Sequence, residues 1–97
     1  MKLLLICSAG MSTSLLVTKM EQAAKAKEIH IEIMAHGVSE AKKLLDQADV
    51  ILLGPQVRFL KDEIAKLASV PVLVIDMMAY GRMDGAKVLN DALKALE

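Results

Sequence analysis

Apolar residues follow two patterns along this chain, short unbroken runs and longer stretches at helical spacing. Residues 3–6 form an unbroken run that predicts a buried strand ending at Cys7. Residues 13–27 place Leu16, Met20, Ala23 and Ala24 on one side of a helix. Between 29 and 35 the pattern alternates through Ile29, His30, Ile31, Glu32 and Ile33, the period of a strand with one face less buried than the other, and this strand is expected at a sheet edge. Gly37 breaks the pattern, and 39–47 reads as a short helix with Ala41, Leu44 and Leu45 inward. Residues 50–53 are a second unbroken run, ended by Gly54 and Pro55. The loop Gly54-Pro55-Gln56-Val57 then leads to a helix reaching about residue 68, with Leu60, Ile64 and Leu67 inward. Pro71 opens a fourth strand over 72–75, and 76–83 is expected as a loop. Asp84 caps a last helix over 85–96 that packs through Val88, Leu89, Ala92, Leu93 and Leu96.

Strands alternating with helices predict an α/β fold, a single four-stranded parallel sheet with right-handed crossovers and helices on both faces. The order 2-1-3-4 puts the two unbroken apolar strands in the middle and the alternating and proline-led strands at the edges. One domain over residues 1–97 accounts for the length, and 55% apolar residues suffice to fill its core. In such a sheet, ligands lie beyond the carboxyl ends of the strands, at the switch point between strands 1 and 3. Cys7 stands there, and the loops after strands 3 and 4 wall the same crevice.

Charge and composition exclude several classes. Twelve basic residues balance twelve acidic ones, and no basic run is interleaved with aromatics, of which Phe59 and Tyr80 are the only two. This argues against a nucleic-acid partner. A single cysteine rules out an internal disulfide and fits a reducing compartment, the cytoplasm. The run at 3–6 is shorter than the roughly 7–15 residues of a signal-peptide core, and bulky Ile6 stands where a small residue belongs. Nothing approaches the roughly 20 apolar residues of a membrane span. His30 and His36 with one distant cysteine make no metal ligand set, and both histidines are expected in solvent, His30 within its strand and His36 after it. The methionines read as core filler except Met11, which is expected to point outward from the loop.

Cys7 is followed by Ser8, Ala9, Gly10, Met11, Ser12, Thr13 and Ser14, mostly small residues that let backbone N–H groups converge on one point and attract an anion. The helix beginning near Thr13 aims its unpaired N–H groups at the same point, favouring a thiolate or a phosphate. A phosphoryl group under attack spreads charge over three equatorial oxygens. The amides of residues 9–14 and the hydroxyls of Ser8, Ser12 and Thr13 can receive them without metal or cofactor. A plainer reading makes Cys7 a packing residue and Ser12 or Thr13 a helix cap, a role compatible with phosphate binding.

Three segments together carry a resemblance: Cys7-Ser-Ala-Gly-Met-Ser-Thr-Ser14, Leu52-Leu-Gly-Pro-Gln-Val57, and Asp76-Met-Met-Ala-Tyr-Gly81 with Asp84-Gly85. They resemble the IIB components of the lactose and chitobiose (cellobiose) type in the bacterial sugar phosphotransferase system, and the match covers the whole chain. The resemblance implies a phosphoryl relay in which Cys7 accepts the group from a phosphohistidine on a IIA protein and passes it to a sugar bound by the membrane-embedded IIC. It also implies a monomer at the inner face of the plasma membrane and a beta-linked disaccharide such as chitobiose, cellobiose or lactose. Because one reactive atom must meet two partners in turn, a rim of Met11, Pro55, Gln56, Val57, Met78, Tyr80 and Gly81 is expected to receive both. The architecture also resembles that of small tyrosine phosphatases. A small phosphatase or thiol-dependent arsenate reductase is thus an alternative, but their pattern is a cysteine, five residues and an arginine, and here that position is Thr13. A receiver-like or other non-catalytic binding module is a third reading. It lacks the acidic cluster expected after strand 1.

Overall fold

The structure, a computed structural model, describes residues 1–8 and 14–97 in full, and the backbone of Thr13. Its axis is β1, Lys2–Cys7. From Leu3 to Cys7 no residue is more than 1% exposed, as an unbroken apolar run requires when helices cover both faces of a parallel sheet. β2, Glu32–Gly37, and β3, Val50–Leu53, pair with β1 on its two sides. Lys2 stands opposite Glu32 and Cys7 opposite Gly37 in one ladder, and Leu3 opposite Val50 and Ile6 opposite Leu53 in the other. β4, Val72–Val74, pairs with β3, so the all-parallel sheet has the expected order β2-β1-β3-β4.

Alternate strand side chains feed two separate cores. Leu3, Leu5, Val50 and Leu52 join Leu16, Met20 and Ala24 of α1 (Thr13–Ala26), Ala79 and Tyr80 of α4 (Met77–Gly81), and Val88, Leu89 and Ala92 of α5 (Gly85–Ala95). Leu4, Ile6, Ile51 and Leu53 join Ala41 of α2 (Val38–Ala41), Val57, and Ile64 of α3 (Lys61–Leu67). Each leucine or isoleucine buried in this way contributes roughly 1.5–3 kcal/mol.

The edge strand lies further along the chain than its alternation predicts. At the end of α1, Glu28 is left-handed, with φ 57°. The Glu28 N–H donates to the Lys25 carbonyl at 3.0 Å and the Ile29 N–H to the Ala24 carbonyl at 2.9 Å, which is a Schellman closure. Ile29 is consumed in stopping the helix, and pairing begins where the Glu32 N–H reaches the Met1 carbonyl at 2.8 Å. His30 therefore precedes the strand and is exposed, whereas His36 lies within β2 opposite Ile6 and is half-buried.

Three other segments differ from expectation. The helix expected over 39–47 divides into α2 and a 3-10 turn at Leu45–Gln47, because Leu44 leaves helical geometry at φ −114° and ψ 4°. After β3 the chain forms a 3-10 segment, Pro55–Leu60, with Val57 off helical geometry, and α3 starts only at Lys61. The short α3 leaves Leu67 at its end 60% exposed, and Leu96 past α5 is 40% exposed.

Residues expected as a loop contain α4, so there are five α-helices among the described residues. Asp76 caps α4, its Oδ2 accepting the Ala79 N–H at 3.0 Å. A second Schellman closure ends it, with Met83 at φ 53° and the Asp84 N–H donating to the Ala79 carbonyl at 2.8 Å. Asp84 then caps α5 as expected, Oδ1 accepting the Lys87 N–H at 3.2 Å.

Gly85 opens α5 against the backbone of α1. A Cβ there would stand 2.4 Å from both the Lys19 carbonyl carbon and the Met20 nitrogen. Gly85→Ala must push the two helices apart and is expected to cost about 1–3 kcal/mol in urea unfolding. The two left-handed residues separate in the same assay. Glu28 is exposed, so Glu28→Gly relieves about 1 kcal/mol of backbone strain against a smaller gain in unfolded-state entropy, and a net stabilisation of about 0.5 kcal/mol is expected. Met83 packs on the core of α1 and α5, so Met83→Gly loses burial and is expected to destabilise.

Candidate functional site

Cys7 is the last residue of β1, with both neighbouring strands ending beside it. It is 1% exposed, and its Sγ lies 3.7 Å from the His36 carbonyl, to which the thiol donates. Glycines flank it on both sides. Gly37 stands opposite in the β2 ladder, and the Gly54 N–H continues the β3 ladder by donating to the Ile6 carbonyl at 2.8 Å. A Cβ on Gly54 would lie 3.8 Å from Cys7 Cβ, 3.4 Å from the Ile6 carbonyl oxygen and 3.1 Å from Gln56 Oε1. Neither neighbouring strand places a side chain beside the cysteine at this level, and Gln56 folds across the Gly54 side. Two glycines, each closing an apolar strand, mark this position in the sequence.

The chain leaves Cys7 through exposed Ser8 and enters α1 at Thr13. Of the expected phosphate-binding residues, Ala9, Gly10, Met11 and Ser12 lie outside the described residues, as does the side chain of Thr13. Ser14 is exposed in the first turn, where its carbonyl accepts the Thr18 hydroxyl at 3.1 Å. No acidic side chain occupies the first turn of this 14-residue helix to oppose an anion at its positive end.

Between the segments that follow β3 and β4 runs a groove of about 330 Å³, lined by Pro55, Gln56, Arg58, Met77, Tyr80 and Gly81. Pro55, Gln56, Tyr80 and Gly81 of the expected rim line this groove, and the rim residues differ in burial. Pro55, Val57 and Tyr80 are buried, because Val57 fills the core above α3 and Tyr80 the core between α1 and α5. Gln56, Met78 and Gly81 are the exposed members among the described residues. Pattern reading missed Arg58, Phe59 and Met77. Phe59 is 77% exposed, Met77 60% and Met78 61%. Placement of Met77 and Met78 straight after the fourth strand was the one available sign of this surface.

Other candidate groups are not gathered at Cys7. His30 borders a shallow pocket with Met1, Lys2, Ile31 and Glu32, at the opposite end of β1. Asp76, an acid after β4 that could serve a hydrolase, is engaged as the cap of α4. Among the described residues no cluster of histidine, cysteine and carboxylate side chains could hold a metal, and no helix is long and apolar enough to cross a membrane.

Comparison with known proteins places this arrangement. Residues 2–91 match the family described as PTS system, Lactose/Cellobiose specific IIB subunit. The oligo-beta-mannoside-specific EIIB component of Bacillus subtilis is 50% identical over 98 aligned positions, covering 98% of this chain and 95% of that one. The galactose-specific EIIB component of Lactococcus lactis subsp. cremoris is 48% identical over 96 positions, with 91% and 89% covered. The solution structure of a cellobiose-specific phosphotransferase IIB component from Borrelia burgdorferi matches with a TM-score of 0.81 at 40% identity, covering 99% of this chain and 91% of that one. Whole-chain identity and the shared parallel sheet agree: this chain belongs to the lactose/cellobiose-specific IIB family, the phosphotransferase components that work with IIA and IIC proteins in sugar uptake.

Proposed function

We propose that Cys7 is the phosphoryl carrier of this IIB component. The observation that supports this is its position: the chain's one thiol ends the central strand, between two glycines, where the loop to α1 begins. The Cys7 sulfur attacks the phosphorus of a phosphohistidine on IIA; the N–P bond breaks, an S–P bond forms and the thiol proton passes to the departing imidazole nitrogen. A hydroxyl oxygen of the sugar held by IIC then attacks the same phosphorus. The S–P bond breaks, an O–P bond forms, and the proton lost by the hydroxyl restores the cysteine thiol. Amides and hydroxyls of residues 8–14 hold the equatorial oxygens in both steps. The sugar is a beta-linked oligosaccharide, a reading supported by the relative named for oligo-beta-mannosides. The protein works in the cytoplasm and meets the membrane only through IIC.

A carrier differs from a phosphatase in sparing phosphocysteine from water. A phosphatase clamps the oxygens with an arginine in the loop and places an acid that later activates water. Here the corresponding loop position is Thr13, both arginines of the chain lie elsewhere, and Asp76 caps a helix.

Two measurements test the proposal. Cys7→Ser is expected to fold and to accept no label from phosphorylated IIA, whereas label on that variant mapping to His30 or His36 would overturn the assignment. The phosphorylated wild-type protein is expected to persist without partners, to return its group rapidly to IIA, and to hydrolyse aryl phosphates negligibly. Sustained aryl phosphate turnover that disappears in Cys7→Ala would identify a phosphatase instead.

A further inference from the structure

The groove beside Cys7 combines an apolar lining with one charged side chain, Arg58. Buried Pro55 and Tyr80 and exposed Met77 and Gly81 line it, and Gln56, whose side chain lies over Gly54, forms the end nearest Cys7. Arg58 takes part in none of the ion pairs among the described residues. Those join Lys2 to Glu32, Lys42 to Glu63, Lys43 to Glu40 and Lys87 to Asp91. Asp76, the acid that follows β4, is turned to the Ala79 amide. The two segments that supply this lining also carry Phe59, Met77 and Met78, three large apolar side chains left mostly exposed. Such a concentration on two adjacent segments marks a surface completed by a protein partner. A single guanidinium in its midst makes that partner's complement negative.

We infer that Arg58 recognises the loaded phosphoryl donor and distinguishes it from the unloaded one. This inference rests on the carrier reading of Cys7 above. Of the two reacting groups, the donor's is the charged one: phosphohistidine arrives as a dianion, whereas the acceptor group is a neutral sugar hydroxyl. A guanidinium at the rim favours the encounter that carries the dianion toward the thiol, and after transfer it gives no such help to the spent carrier. The neighbouring apolar side chains supply contact area common to the loaded and spent forms. Arg58 is thus a recognition residue outside the chemistry, and its effect belongs to association.

The test measures transfer from radiolabelled phospho-IIA to Cys7 at low and high ionic strength. Wild type, Arg58→Glu, Arg58→Gln and Lys94→Glu are compared. Lys94→Glu makes the same charge change on an exposed residue in the last turn of α5. At low ionic strength Arg58→Glu is expected to slow the second-order rate about tenfold and Arg58→Gln about threefold, with the differences shrinking as salt is added. Lys94→Glu is expected to change it less than about twofold. In a Cys7→Ala background, where transfer cannot occur, phospho-IIA should bind more tightly than IIA, and Arg58→Glu should remove that preference. A purely structural role for Arg58 would weaken both forms alike. Equal rates for Arg58→Glu and Lys94→Glu, or an undiminished preference for phospho-IIA, would overturn the inference while leaving the carrier assignment intact. Absence of label on wild-type Cys7 would overturn both.

Discussion

A strand buried on both faces and paired along both edges exposes its residues to chemistry at its ends alone. β1 is such a strand, and the rest of the structure follows from the need to enclose it. The parallel arrangement sends the carboxyl ends of all four strands to one side, so the chain between each strand and its next helix starts there. Cys7 is the residue at which β1 reaches that side. Its burial and its position at a crevice are two consequences of one constraint.

Separation of the apolar side chains into two cores matters for the same reason. Odd-numbered residues of β1 face α1, α4 and α5, and even-numbered ones face α2 and α3. Cys7 falls in the odd series, on the face covered by α1, the helix that the loop after it must enter. The spacing between α1 and α5 on that face is in turn set by the contact of Gly85 with Lys19 and Met20, where backbone meets backbone. Packing far from the thiol thereby fixes where the positive end of the helix stands relative to it.

Capping explains how the far wall of the crevice is built from so short a segment. Asp76 starts α4, Met83 stops it in a left-handed turn, and Asp84 starts α5 at once. The stretch from Asp76 to Asp84 thus drives Tyr80 into the core while leaving Met77 and Met78 outside. An acid committed to a cap serves the architecture of a carrier, which gains nothing from activating water.

Much of this was legible in the residues themselves. The two unbroken apolar runs suited central parallel strands, where leucine and isoleucine are covered on both faces. Strand order and the location of Cys7 followed, and the motifs around it pointed to the family. The register of β2 was not legible, because its isoleucines alternate from Ile29 onward and the backbone closure of α1 at Glu28 decides where pairing can begin. α4 was hidden because five residues carry no helical period and its stop is a methionine in a conformation that glycine usually signals. Exposure of Phe59 and burial of Val57 and Tyr80 were equally beyond pattern reading. Periodicity reports which side chains share a face of a regular element. Only the assembled fold decides which short, irregular segments turn inward, because that depends on space left by residues distant in the chain.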